Sequence, residues 1–115
     1  IISLPDSGSG DLTGVYFHFF IAAQVTSNAH KVVCADTGNE KLLGSIHSVD
    51  SDADASASIW NAQASDNFSA INITGVATGK PGSHFTITNM ATDVWHIRGE
   101  VVQSGGSEAT PFATS

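Results

Sequence analysis

The feature that most constrains this chain is a run of alternating residues between positions 82 and 102. Phe85 and Ile87 alternate with Thr86 and Thr88, the period-two spacing of a strand buried on one face. A polar break from Asn89 to Asp93 follows. Trp95, Ile97 and Val101 then share one face, with Val94, His96, Arg98 and Glu100 on the other. Two such runs joined by about five residues predict a β-hairpin with a loop longer than the two-residue minimum. Trp95 is expected in the core and Trp60 at least half buried.

Six further segments read as strands between turn signals: Ile1 to Leu4, Val15 to Ile21, His30 to Ala35, Leu42 to Val49, Ser58 to Gln63 and Ala70 to Val76. No stretch places apolar residues at i, i+3, i+4 and i+7 over three turns, so helices are not expected. The pattern predicts an all-β fold, an antiparallel β-sandwich or small barrel of about eight short strands. The 115 residues suit a single β domain. An N-terminal arm over about residues 1–10 and a C-terminal tail over about 103–115 flank it in this reading.

Charge narrows the partners. Four Lys and Arg stand against eleven Asp and Glu, whereas a nucleic-acid groove needs clustered basic residues to displace counterions. The same balance disfavours an anionic membrane surface, and no apolar run approaches the ~20 residues of a membrane-spanning helix. Nor is there a charged segment followed by an apolar leader. Neither nucleic acid nor membrane is expected as a partner. The single cysteine, Cys34, cannot close a disulfide within its chain and lies in an apolar strand, where it is expected to pack.

Catalytic and metal motifs are incomplete. Asp50, Asp52 and Asp54 open like a calcium-binding EF-hand loop, but the required glycine and glutamate positions hold Ala55 and Asn61. A solvated acidic loop is the expectation. The histidines, His18, His30, His47, His84 and His96, form neither an i, i+2 strand pair nor a helical zinc motif. There is no nucleophile elbow and no phosphate cradle. The expectation is a non-enzymatic domain with no metal and no cofactor. Asn67-Phe68-Ser69 and Asn72-Ile73-Thr74 match the glycosylation sequon, a match short enough to arise by chance.

The aromatic strand raises a packing problem. Val15, Phe17, Phe19 and Ile21 lie on one face and Tyr16, His18 and Phe20 on the other, yet a sandwich core absorbs one face only. The second face would be an exposed apolar patch, so a subunit interface through Tyr16 and Phe20 in a closed homo-oligomer is expected. The tail ends in Thr110-Pro111-Phe112-Ala113. Phe112 either folds back on its own sheet or docks on a neighbour.

The run from Ile87 to Gly99, the Ser104-Gly105-Gly106 spacer and the sequence Ala109-Thr110-Pro111-Phe112-Ala113 together resemble the C-terminal end of a family of small virion proteins. These are β-rich structural proteins of tailed bacteriophages, especially cyanophages and other marine phages. The resemblance covers about the last third of the chain and agrees loosely elsewhere, through Leu4-Pro5, the aromatic strand Val15 to Ile21 and Leu43-Gly44-Ser45-Ile46. It implies a capsid decoration (cement) protein on the exterior of the virion, bound to the major capsid protein of the phage head. It also implies self-association with three-fold symmetry. On that reading Ile1, Ile2, Leu4, Tyr16, Phe20, Pro111 and Phe112 are the subunit and shell contacts, and both arms are ordered mainly by neighbours. Two alternatives stand beside it. One is a tail, fibre or spike module contacting host glycans through Tyr16 or Trp60. The other is a secreted carbohydrate-binding or adhesion sandwich with calcium at Asp50, Asp52 and Asp54.

Overall fold

Period-two alternation builds strands along the whole chain. The computed structural model describes residues 1–27, 29–52, 57–74, 78–104 and 108–115. Among them nine strands form: β1 (Ile2–Ser3), β2 (Tyr16–Phe20), β3 (His30–Val33), β4 (Lys41–Asp50), β5 (Ala57–Ala62), β6 (Ala70–Ile73), β7 (His84–Ala91), β8 (Val94–Gln103) and β9 (Phe112–Ala113). A 3-10 turn, Ala64–Asp66, links β5 to β6. The expected strand end at Val76 lies outside the described residues.

The strands form two sheets, ordered β1-β3-β6-β9 and β2-β7-β8-β4-β5. Their inner faces share one core, so the fold is a β-sandwich. Leu42, Ile46, Phe85, Ile87, Trp95, Ile97 and Val101 come from the five-stranded sheet, and Val32, Ile71, Ile73 and Phe112 from the four-stranded one. Aromatic pairs tie neighbouring segments within each layer at spacings usual for offset rings: Phe17 with Trp95 at 6.2 Å and Phe19 with Phe85 at 5.0 Å in the five-stranded sheet, and Phe68 with Phe112 at 5.5 Å beside the other. Trp95 is fully buried and Trp60 mostly so, as expected.

Strand direction departs from the expectation. β1 runs parallel to β3, and β4 runs parallel to β8 over ten residues on each strand. Alternation fixes which face a residue takes but carries no information on direction, which accounts for the difference. Close approach to β8 needs two glycines, Gly44 on β4 and Gly99 where β8 meets β7. A side chain at Gly44, whose φ is +138°, would collide with the Ile97 carbonyl oxygen. A Cβ at Gly99 would sit 2.5 Å from the Phe85 Cα.

The central hairpin is also tighter than its polar break suggested. β7 continues to Ala91, which pairs with Val94, leaving Thr92 and Asp93 as the turn. A bulge between Asn89 and Ala91 absorbs the extra residue. Buried Asn89 makes this possible, because its Nδ2 donates to the carbonyls of Ala91 at 3.0 Å and Val94 at 3.2 Å. Asp93 takes the left-handed conformation, φ +61°, that closes the turn.

Both expected arms belong to the domain. Leu4 is buried and its N–H donates to the Val33 carbonyl at 2.8 Å. Pro111 and Phe112 are buried, with β9 paired to β6 and Phe112 opposite Ile71. The Ser69 N–H donates to the Ala113 carbonyl at 2.9 Å, and the Asn72 N–H to the Pro111 carbonyl at 2.7 Å. The expectation that Leu4, Pro111 and Phe112 await a shell or a neighbour is therefore corrected. Stacking of Phe112 on Phe68 anchors a strand too short to hold itself. Residues 105–107 of the spacer lie outside the described residues.

Trp95→Ala and Phe112→Ala should each lower stability by about 3–5 kcal/mol, the usual cost of emptying a buried aromatic site. Urea unfolding midpoints measure this. An unchanged midpoint for Phe112→Ala would return the tail to the surface.

Candidate functional site

The outer face of the five-stranded sheet is the broader of the two the sandwich leaves open. Register lines its side chains up in three rows across the strands. They are Tyr16–Thr88–His96–Leu43, His18–Thr86–Arg98–Ser45–Asn61 and Phe20–His84–Glu100–His47–Ile59. Four of the five histidines thus share one face, which one-dimensional spacing did not reveal because each lies on a different strand. The His18 and His84 rings are 5.9 Å apart, and His18 Nδ1 shares a 2.8 Å hydrogen bond with the Thr86 hydroxyl. With Arg98 and Gly99 these residues line a hollow of about 380 Å³. Among the described residues, no group of three or more His, Cys, Asp or Glu converges as a metal site.

At one edge this face turns apolar. Tyr16 is 67% exposed and Phe20 63%, as the alternation of β2 required. Val15, expected on the buried side, is exposed as well. Ile1 and Ile2, at 84% and 52%, lie on the adjoining edge of the other sheet. Between the two edges runs a hollow of about 310 Å³, lined by Ile2, Phe19, Phe20, Ile21, Val25 and Ile73 among others. Of the contact residues expected from the sequence, Ile2 and Phe20 line this hollow, Ile1 precedes Ile2 at the exposed chain start, and Tyr16 lies on the outer face of β2. Leu4, Pro111 and Phe112 are interior.

Trp60 packs against the core instead of standing in a concave site, so it offers no platform for stacking a sugar. Asp50 is buried and accepts the Asp52 N–H at 2.8 Å, the geometry of a local turn. Asp54 lies outside the described residues. Asn72 sits within β6 with its amide oxygen buried, whereas Asn67 is exposed.

One buried carboxylate organises the opposite side of the core. Glu40 Oε1 accepts the Ser7 N–H at 2.7 Å, the Ser7 hydroxyl at 2.6 Å and the Trp95 indole N–H at 3.1 Å. Its Oε2 accepts the Asp36 N–H at 2.8 Å. Burial pushes its pKa up, but the Asp36, Ser7 and Trp95 donors outweigh burial and leave it below the usual carboxylate range. Burial, reinforced by the Glu40 charge, pushes the Cys34 thiol up to about 12, which keeps it protonated and unreactive.

A lowered folded-state pKa means that Glu40 stabilises the fold above the unfolded carboxylate range. That contribution is lost as the pH falls through the lowered value. Glu40→Gln turns an acceptor into a donor facing donors, and should cost about 3 kcal/mol at neutral pH. It should also flatten the acid limb of the stability–pH curve, measured by urea titration between neutral and strongly acid buffers.

No family model matches the sequence, and neither a curated protein nor a solved structure matches it. The exposed edge of β2 and the outer face beside it are therefore defined by this chain's own geometry.

Proposed function

We propose that the domain is a non-enzymatic structural protein of a phage virion, a decoration protein that binds the exterior of the head shell. The observation that carries this reading is the apolar edge. Ile1, Ile2, Tyr16 and Phe20 stand in water on a small sandwich whose interior is already filled. Exposed apolar surface of this kind marks protein–protein contact. The sequence resemblance supplies the partner, the major capsid protein, and the location on the capsid exterior.

The buried polar groups fit a structural role. Glu40 is saturated by structural donors, and the Cys34 thiol is buried and protonated. Leu4, Pro111 and Phe112 are held in the sandwich, so contact falls to its edge and outer face. A rigid contact surface loses little entropy on docking.

Particles purified from the phage that encodes this chain should contain it in a fixed ratio to the major capsid protein. Particles made without it should release DNA at a lower temperature. Quantitative mass spectrometry and a thermal release assay measure the two. Its absence from particles, or its location on the tail by negative-stain imaging with a tagged chain, would overturn the assignment.

A further inference from the structure

We propose that β2 pairs with β2 of a second copy, antiparallel about a two-fold axis through His18, making one continuous ten-stranded sheet. This pairing does not depend on what the domain decorates.

Backbone geometry is the starting point. The Asn89 N–H donates to the Val15 carbonyl and the Ile21 N–H to the Ser83 carbonyl, each at 2.8 Å. Phe17 and Phe19 lie opposite Ile87 and Phe85 between these bonds. In an antiparallel ladder, hydrogen-bonding residues alternate with residues whose N–H and C=O point away. The odd-numbered residues of β2 thus face β7, and Tyr16, His18 and Phe20 turn their N–H and C=O outward. Among the described residues no strand follows β2 on that side of the sheet.

The register is self-complementary. Centred on His18, the rotation sets Tyr16 opposite Phe20 of the other copy, His18 opposite its equivalent, and Phe20 opposite Tyr16. All three pairs use outward-pointing backbone groups, so the ladder closes without a bulge. Both aromatic pairs fall on the outer face, where cross-strand aromatics attract each other. Phe17 and Phe19 continue the inner face.

β2 also lacks the devices that protect sheet edges. It holds no proline and no lysine, and its register with β7 is unbroken. The edges of the four-stranded sheet, β1 and β9, are two residues each. The other long edge, β5, carries one large exposed apolar residue, Ile59. Apolar surface continues from Phe20 across the hollow to Ile2. Strand pairing covers the edge backbone and the flanks of Tyr16 and Phe20 turned toward the second copy, and leaves their outer-face surfaces, with Ile1 and Ile2, for the shell. The covered area is on the order of 400 Å² per protomer, a pairing at the low end of interface sizes. A like-with-like strand pairing closes at two copies. Three-fold closure would require β2 to pair with a different surface.

Light scattering across a concentration series should show a species of about twice 11.9 kDa. Phe20→Lys should return it to the monomer with its circular dichroism unchanged. Cysteine cross-linking reads the register, and buried Cys34 does not compete. Hydrogen-bonded antiparallel partners have Cα atoms about 5.5 Å apart, within the range a disulfide spans. His18→Cys should therefore oxidise to a covalent dimer. Tyr16→Cys alone should not, because its equivalent lies four residues along, roughly 13 Å away. Tyr16→Cys mixed with Phe20→Cys should cross-link. A monomer at every concentration, a three-copy species, or Tyr16→Cys linking as readily as His18→Cys would overturn the pairing. A monomer in solution leaves the virion role standing, and absence from particles leaves the pairing standing.

Discussion

The structure depends on a charge placed where water does not reach. Glu40 gathers four donors from three separated parts of the chain: the loop after β1, the turn before β4 and the indole of β8. Each donor is a neutral group, so dipoles compensate the carboxylate without a cation. Ser7 extends the arrangement, because its hydroxyl also accepts the Asp93 N–H at 3.1 Å and so fixes the tip of the β7–β8 hairpin. The cluster ties two loops with few apolar residues of their own to the core strand β8. A buried carboxylate left partly unsatisfied would be costly, so all of these segments must be placed together. That requirement ties the N-terminal segment to the sandwich.

Much of the fold was legible because alternation reports burial directly. Trp95, Ile97 and Val101 on one face of β8, and the opposed faces of the aromatic strand, follow from a spacing of two. Direction and pairing partners were not legible. β4 beside β8 is a choice between strands distant in sequence, and its trace, Gly44, resembles an ordinary glycine until the opposing backbone is seen. Asn89 likewise read as part of a loop, although its amide allows the strand to continue. The terminal segments were misread for a related reason. Phe112 was recognised as an aromatic that should not be left in water, but its pocket is formed partly by Phe68, a residue outside every expected strand.

The contact surface was legible in one half. Tyr16 and Phe20 were exposed by the period of their own strand. The histidine face was hidden, since His18, His47, His84 and His96 become neighbours only through the register of four strands. Of the residues that carry the sequence resemblance, Trp95, Ile97 and Phe112 are core, and Gly99 permits close approach of β8 to β7.

The parallel β4–β8 pairing has a kinetic consequence. Its partners are about fifty residues apart, and no local turn can bring them together. The hairpins β4–β5 and β7–β8 can form early, each from neighbouring residues, but the central seam of the larger sheet must await their docking. Folding is then limited by a long-range search, as in other β-rich topologies of high contact order. During that interval both long strands present unpaired sides, and intermolecular pairing competes with the correct seam. Expression at lower concentration would favour the seam, because docking within one chain is independent of concentration and misassociation is not.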